Sequence, residues 1–329
     1  MQIVLLEVSH WHTPLYLDAV IAGGDRVVAV SDGNAEIAGR VAARFGARVY
    51  GDWRGALEAE RPDFAFAFGR HAEMPAIGTA LIDRGIPFVM EKPCGTTAAD
   101  VRQLRDRARA KSLFVGVPLV QSLGPLAAML EGGRRPLHAW FRFIAGPPTR
   151  YPASGSAWML DPAQSGGGCF INLSGHFLDL ALRLLPRVTR VSARTSNAVY
   201  GEPIEDYALA TLESPDGGTA VVETGYLYPS KAGRVREVYY SLFDRDGCRI
   251  WWGDRGGSAF NGRAWMEQAV DLDSDPLYPA FVAATLAAYR ARRPAPVGLD
   301  AMVAVMELIE AVYGSARTGQ PVRVDVAGY

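Results

Sequence analysis

Short, unbroken apolar runs alternate with helix-length segments through the first third of the chain, and that alternation leaves few folds open. Residues 3–6, 27–31, 64–68, 88–90 and 113–117 are dominated by Val, Ile, Leu, Ala and Phe, with almost no polar residue interleaved. A strand exposed on one face would alternate; runs like these belong to a parallel sheet covered on both faces. Helix punctuation fills the gaps. Thr13-Pro14 predicts an N-cap and a first-turn proline, with Gly23-Gly24 as the stop. Residues 35–45 are closed by Gly46, Asp52 caps a helix that stops at Arg61-Pro62, and residues 72–84 end at Gly85. Thr97 caps one more helix, with Asp100 in its first turn. Crossovers of this length build a doubly wound α/β sheet, whose ligands lie beyond the carboxyl ends of the strands.

After about residue 120 the pattern changes. Gly146-Pro147-Pro148 and Gly166-Gly167-Gly168 lead into a predicted helix over 173–185. Alternating strands are predicted over 188–194, 207–213, 219–226, 236–243 and 248–252, with a turn at Pro215-Asp216-Gly217-Gly218. Helices over 279–292 and 301–315 close the chain. The expected organisation is therefore residues 1–120 as a dinucleotide-binding domain. Residues 121–329 form an α+β domain for substrate binding and oligomerisation, with an open, mainly antiparallel sheet, and its closing helices are free to pack back on the first.

Charge and cysteine usage remove several function classes. Thirty-four basic residues against 35 acidic ones give no basic footprint for nucleic acid. No apolar run approaches the ~20 residues of a membrane span. The start, Met1-Gln2-Ile3-Val4-Leu5-Leu6, reads as a first strand rather than a secretion signal. Cys94, Cys169 and Cys248 are far apart with no C-x-x-C pair, which points away from a disulfide framework or a thiolate zinc site and towards a reduced, cytoplasmic protein. Lysine is scarce: Lys92, Lys111 and Lys231 stand among many arginines.

Four features carry chemistry. Asp32 follows the second strand, where a dinucleotide fold places the carboxylate that binds the adenosine ribose. The loop after the first strand should hold G-x-G-x-x-G, and instead reads Glu7-Val8-Ser9-His10-Trp11-His12. Three readings of it stand: the helix start at Thr13-Pro14 attracts phosphate with an imidazole assisting; His10, His12 and Glu7 hold a divalent metal; or the loop is simply packed and has lost the cofactor. Glu91-Lys92-Pro93 follows strand 88–90, so Lys92 sits at the carboxyl edge of the sheet on a proline-restricted segment. Finally, in the stretch from Gly166 to Asp179, a helix beginning near Asn172 would set Asn172 and His176 on one face, with Asp179 a turn further.

These segments resemble the Gfo/Idh/MocA family of nicotinamide-dependent oxidoreductases, which includes glucose–fructose oxidoreductase and inositol dehydrogenase. Glu91-Lys92-Pro93 corresponds to the family's E-K-P, and Gly167 to Asp179 to its G-G-x-x-x-D-x-x-x-H-x-x-D, preceded by Trp158-Met159-Leu160-Asp161-Pro162. Residues 310–319 resemble the closing helix. The resemblance implies an N-terminal Rossmann domain, an NAD-dependent dehydrogenase acting on a sugar, inositol-like or related compound, and a homodimer or homotetramer formed through the C-terminal sheet. It implies that Lys92 orients and polarises the substrate oxygen and that His176 is the general acid/base, with Asn172, Asp179 and Trp158 on the substrate. Ser9, His10, Trp11, His12, Asp32, Gly69, Arg70, Glu91 and Lys92 fall on the cofactor side. A carboxylate at Asp32 would repel a 2′-phosphate, so NAD is expected over NADP. The chain departs from the family pattern at three places besides the glycine loop. Asn172 stands where many relatives have Asp, Arg70 and Glu73 replace an Asn and a His, and the Arg often found after the sixth strand is absent from residues 117–120. From other classes, the alternatives are a non-catalytic dinucleotide- or sugar-binding regulatory protein, and a metal-dependent hydrolase or lyase using His10 and His12.

Overall fold

Strand Phe64–Ala67 shows why the early apolar runs lack alternation: all four of its side chains are buried, because helices cover both faces of the sheet. In a computed structural model, which describes residues 1–130, 138–229, 236–253 and 255–329, six parallel strands form this first sheet. They are β1 (Gln2–Leu6), β2 (Arg26–Ser31), β3 (Arg48–Tyr50), β4 (Phe64–Ala67), β5 (Phe88–Met90) and β6 (Val115–Gly116), ordered β3-β2-β1-β4-β5-β6. The order reverses between β1 and β4, so the crevice at their carboxyl ends is the switch point where such sheets bind ligands. Phe64, Phe66 and Phe68 are fully buried, each contributing about 1.5–3 kcal/mol.

Local signals set the crossover helices α1 (Leu17–Ile21), α2 (Ala35–Phe45), α3 (Trp53–Ala59), α4 (Met74–Arg84) and α5 (Ala98–Ala110). Asp52 caps α3 by accepting from the Gly55 N–H at 2.8 Å, and Thr97 with Asp100 forms a full capping box on α5. Gly46 and Gly85 end α2 and α4 in the left-handed conformation. The expected helix from Thr13-Pro14 to Gly23 is instead a 3-10 turn, Thr13–Leu15, followed by the five-residue α1.

The second sheet has nine strands: β7 (His138–Ala145), β8 (Arg187–Ser196), β9 (Tyr207–Glu213), β10 (Thr219–Gly225), β11 (Arg236–Asp244), β12 (Gly247–Trp252), β13 (Gly256–Phe260), β14 (Trp265–Glu267) and β15 (Val322–Ala327). Their order is β14-β13-β12-β11-β7-β10-β9-β8-β15. Pairing is antiparallel except between β7 and β10, which run parallel from Thr219 opposite His138 to Gly225 opposite Ile144. Burial alternates along β9 and the first half of β10, as expected for a sheet with one covered face. Two compact units result. Met1–Pro118, Tyr151–Gly166 and Asp275–Val303 make one; Leu119–Arg150, Gly167–Ser274 and Ala304–Tyr329 make the other. Lys231 lies outside the described residues, and none of the described helices is long and apolar enough to cross a membrane.

Candidate functional site

The loop after β1 keeps the path of a glycine loop without its glycines. Glu7 has φ of 59°, the left-handed conformation that glycine adopts without strain. It is held there by its N–H to Ser31 Oγ (3.3 Å) and by Ser31 Oγ–H to its own Oε1 (3.1 Å). Burial, reinforced by the charge of Asp32, pushes the Glu7 carboxyl up to about 7. Asp32 is buried and accepts two backbone hydrogen bonds, from Ser9 N–H at 2.6 Å and Asn34 N–H at 2.7 Å. It therefore ties the loop after β1 to the end of β2. A cavity of about 310 Å³ opens beside this loop, lined by Val8, Trp11 and Leu17 on one side and Ile37, Arg40 and Val41 of α2 on the other.

His10 and His12 are both buried. The backbone N–H of His12 donates to His10 Nδ1 (3.1 Å), and His12 Nδ1 lies 3.2 Å from Glu91 Oε1. Tyr16 donates its hydroxyl proton to the same Glu91 oxygen, while the other carboxylate oxygen accepts the Lys92 N–H at 3.1 Å. Tyr278 packs on His12, ring centroids 4.8 Å apart, and its burial beside Glu91 pushes its phenol well above the ordinary range. Lys92, beyond β5, is 2% exposed. An ammonium buried so fully is costly without polar partners.

Of the three readings of the loop, the metal reading changes in one member. Glu7 turns to Ser31, and Glu91 takes its place: one ligand atom each from His10, His12 and Glu91 lies within 4.8 Å of the others. His12 and Glu91 pair with each other and Tyr16 donates to Glu91, so two of the three members are already tied into a hydrogen-bonded brace.

Residues 151–166 clasp the loops after β1 and β4. Ser156 Oγ–H donates to the Ser9 carbonyl (2.8 Å), Ala72 N–H to the Gln164 carbonyl (3.0 Å), and His71 Nδ1 to the Ser165 carbonyl (2.7 Å). The Trp158 ring sits 4.9 Å from that of His71 and 5.9 Å from that of His10. Trp158, expected on the substrate, thus packs against the two loops. Arg70 is exposed, and Gly69 packs so tightly against Ile77 that a side chain would displace it. Three buried polar atoms around these loops find no partner among the described residues: His10 Nε2, His71 Nε2 and Thr13 Oγ1.

In the second unit the predicted helix breaks. Cys169–Leu173 and Gly175–Leu184 are separate helices that meet at Ser174, with Asn172 in the first and His176 in the second. Asn172 Nδ2–H donates to the Tyr226 hydroxyl (2.8 Å), which in turn donates to the Gly168 carbonyl (3.3 Å). His176 is buried in the first turn of its helix. Asp179, expected beside the substrate, is instead bound by Arg183 (3.2 Å) and the Tyr329 hydroxyl (2.6 Å), fastening the helix to the C-terminal residue. The glycines have their own cause. Glu205 accepts the N–H groups of Gly168 (2.8 Å) and Phe170 (2.9 Å) and the Tyr313 hydroxyl (2.8 Å), and a Cβ on Gly168 would overlap the Glu205 backbone.

Residues 9–118 match the oxidoreductase family with an NAD-binding Rossmann fold, and residues 135–242 match the GFO/IDH/MocA C-terminal domain. The chain belongs to the Gfo/Idh/MocA family. D-apiose dehydrogenase of Paraburkholderia graminis is 26% identical over 241 residues, which is 68% of this chain and 60% of that protein. Rhizopine catabolism protein MocA of Rhizobium meliloti is 25% identical over 191 residues, 54% of this chain and 56% of its own length. The matches thus span somewhat more than half the length of these curated relatives. Among solved structures, an oxidoreductase from Agrobacterium radiobacter in complex with NAD+, L-tartaric acid and magnesium has a TM-score of 0.85 at 18% identity, covering 98% of both chains. Levoglucosan dehydrogenase in complex with NADH and L-sorbose has a TM-score of 0.86 at 15% identity, covering 100% of this chain and 99% of its own. These structural likenesses establish a shared fold.

Several residues of the site escape a reading of the sequence alone. His71 is a single histidine after β4, Tyr16 and Tyr278 come from helical segments far apart in the chain, and Glu205 lies in a loop; no spacing marks any of them. Only the excess of His and Trp in residues 10–12 signals that side chains crowd this region.

Proposed function

We propose that this protein is an NAD-dependent dehydrogenase that oxidises a secondary alcohol of a sugar, or a related polyol or hydroxy acid, or runs the reverse reduction. The observation that carries the reading is the set of orphaned buried polar atoms, His10 Nε2, His71 Nε2 and Thr13 Oγ1, on the loops after β1 and β4. Buried groups of this kind need a polar partner, and these border the switch point where a doubly wound sheet receives a dinucleotide. The residues present fit the cofactor: Asp32 would hold the adenosine ribose, Ser9, His10, Trp11 and His12 its pyrophosphate, and Gly69, Arg70, Glu91 and Lys92 the nicotinamide half. Asp32 favours NAD over NADP through its negative charge. Nicotinamide, when bound, supplies the hydride acceptor or donor.

The chain's own residues supply the rest. Lys92 hydrogen-bonds the substrate oxygen and stabilises negative charge developing there. His176 takes the hydroxyl proton during oxidation and returns it during reduction, the role of a positioned general acid/base. Asn172 can donate or accept a hydrogen bond towards the substrate but cannot carry its proton. Sugar-type substrates accord with the relatives, one a D-apiose dehydrogenase and another crystallised with L-sorbose. Calorimetry with NAD+, NADH, NADP+ and NADPH, followed by a panel of sugars and hydroxy acids monitored by NADH absorbance, tests the reading. Tighter binding of NAD(H) with turnover of a panel member supports it, and failure of all four cofactors to bind rejects it.

Association through the second sheet accompanies this proposal. Trp140, Phe243, Trp252 and Trp265 are exposed on its strands, and Trp140 meets Tyr239 edge-on at 6.3 Å. Aromatic surface of this kind favours a second copy of the chain, in a dimer or tetramer. A monomer mass by light scattering, independent of concentration, would reject it. A cytoplasmic location is the setting in which a nicotinamide enzyme with free cysteines is expected.

A further inference from the structure

His10 and His71 have opposite hydrogen-bonding character, and their partners fix it. His71 Nδ1 lies 2.7 Å from the Ser165 carbonyl, which can only accept, so Nδ1 carries the proton. Burial pushes the His71 imidazole down to about 4, so it is neutral and its Nε2 is a bare acceptor. His10 is the reverse. Its Nδ1 accepts the His12 backbone N–H at 3.1 Å, so the neutral ring carries its proton on Nε2. Burial again holds the ring neutral, depressing its basicity well below the ordinary range despite the opposing pull of Glu91. The charged and titratable groups that act on it are Glu91 and Lys92 beyond β5, His71 beyond β4, and His12 in its own loop. His10 Nε2–H is therefore a buried donor without an acceptor among the described residues, on the loop whose backbone amides would ordinarily approach a pyrophosphate.

We propose that His10 replaces the missing glycine-loop contacts: its neutral Nε2–H donates to a phosphoryl oxygen of the bound dinucleotide, and the His12 backbone N–H locks the tautomer that makes this possible. The proposal rests on the dinucleotide reading above. Phosphoryl oxygens are pure acceptors, so a fixed N–H suits them and a bare nitrogen such as His71 Nε2 does not. Trp158, edge-on to the His71 ring and tilted against that of His10, restrains their orientation. The loop thus exchanges a backbone cradle, which needs glycine, for one side-chain donor, which does not.

The test compares ADP, adenosine and NAD+ binding by calorimetry in the wild-type protein, His10→Phe and His10→Gln. A hydrogen bond to a charged group is lost in His10→Phe, so ADP and NAD+ should weaken about 10- to 100-fold while adenosine changes little. His10→Gln, which restores an N–H donor, should recover part of the loss and serves also if the Phe variant does not fold. ¹⁵N NMR of His10 should show the Nε2-protonated neutral tautomer between about pH 8 and 6. Unchanged ADP binding in His10→Phe, equal losses for ADP and adenosine, or an Nδ1-protonated ring would each overturn the proposal. Failure of wild-type protein to bind NAD+ and ADP at all would instead reject the dinucleotide reading itself.

Discussion

The loop after β1 and the glycine stretch at residues 166–168 are both places where a Gfo/Idh/MocA chain runs its backbone close to something else, and they have fared differently. At Gly167 and Gly168 the neighbours are the protein's own atoms. A Cβ on Gly167 would overlap the Tyr313 hydroxyl, and one on Gly168 the Glu205 carbonyl oxygen and amide. Nothing there can be refilled. In the loop after β1, where the proposed dinucleotide would approach, Glu7, Ser9 and His12 stand at the glycine positions of G-x-G-x-x-G, with His10 and Trp11 between them. Glycine demanded by internal packing is retained; glycine demanded by a ligand's approach can be exchanged if side chains supply equivalent contacts. The same contrast separates the chemistry from its frame, since Lys92 and His176 stand in segments that keep the family pattern while the cofactor loop does not.

The largest expected effect lies with those two residues. Once a substrate is found, His176→Asn should lower kcat by roughly 10²–10⁴-fold, the usual contribution of a positioned acid/base, and Lys92→Met should cost at least as much. NAD+ affinity measured by calorimetry should survive the His176 change. Turnover near the wild-type rate in both variants would show that the retained pattern is a frame without chemistry, and a binding role would then fit better than a dehydrogenase.

Next in size is Gly168→Ala. Its new methyl group meets backbone on the Glu205 side, which cannot rotate away, and it would pull Phe170 and Gly168 from the Glu205 carboxylate. Overpacking plus loss of a buried hydrogen-bonded network should destabilise by about 3–5 kcal/mol. Chemical denaturation measures this directly. A loss below about 1 kcal/mol would break the claim that internal packing fixes this glycine.

Glu7 provides the opposite case. Its left-handed φ costs about 1–2 kcal/mol, and its carboxyl is raised from 4.5 to about 7 by burial and by Asp32. Because the folded value is raised, the protonated group's contribution is fully present below pH 4.5 and is lost as pH climbs through about 7. Glu7→Gln should therefore gain stability relative to wild type above neutrality and show none of this gain in acid. Glu7→Gly should add relief of the backbone strain, about 1 kcal/mol more, at every pH. Thermal melts across that pH range separate the two contributions. A destabilised Glu7→Gly would mean that the carboxyl's link to Ser31 outweighs the strain.

Much of the fold is legible in the sequence because burial on both faces leaves an unbroken apolar run, as in Phe64–Ala67, while one covered face leaves alternation, as in Tyr207–Glu213. What escapes lacks either mark. β3 (Arg48–Tyr50) is a short, largely exposed edge strand, and β7 hides its register behind a parallel pairing with β10 that a run of antiparallel strands does not suggest. The break at Ser174 is invisible because Cys169–Leu173 and Gly175–Leu184 read as one apolar helix, and the partners of Asp179, Arg183 and Tyr329, include one 150 residues away that no local spacing marks. Within the site, E-K-P and His176 are legible as motif. The brace of Tyr16, His12 and Glu91 is not, because its members meet only through tertiary folding.

The smallest effect is expected at Lys111, and it makes the sharpest control for Lys92. Both lysines belong to the unit of the parallel sheet, but Lys92 follows β5 at the carboxyl end and is buried, whereas Lys111 follows α5 and is well exposed. Lys111 Nζ donates to the carbonyls of Ile82 and Asp83, both at 3.0 Å, at the C-terminal end of α4. A cation there satisfies two helix-end acceptors and complements the helix dipole, which is worth about 0.3–1 kcal/mol at an exposed position. Lys111→Met should lower the Tm by about 1–4 °C and leave kcat, KM and NAD+ affinity within about twofold of wild type. A catalytic loss at Lys111 comparable to that at Lys92 would mean that any lysine lost from this unit impairs activity through stability, and the role given to Lys92 would lose its support.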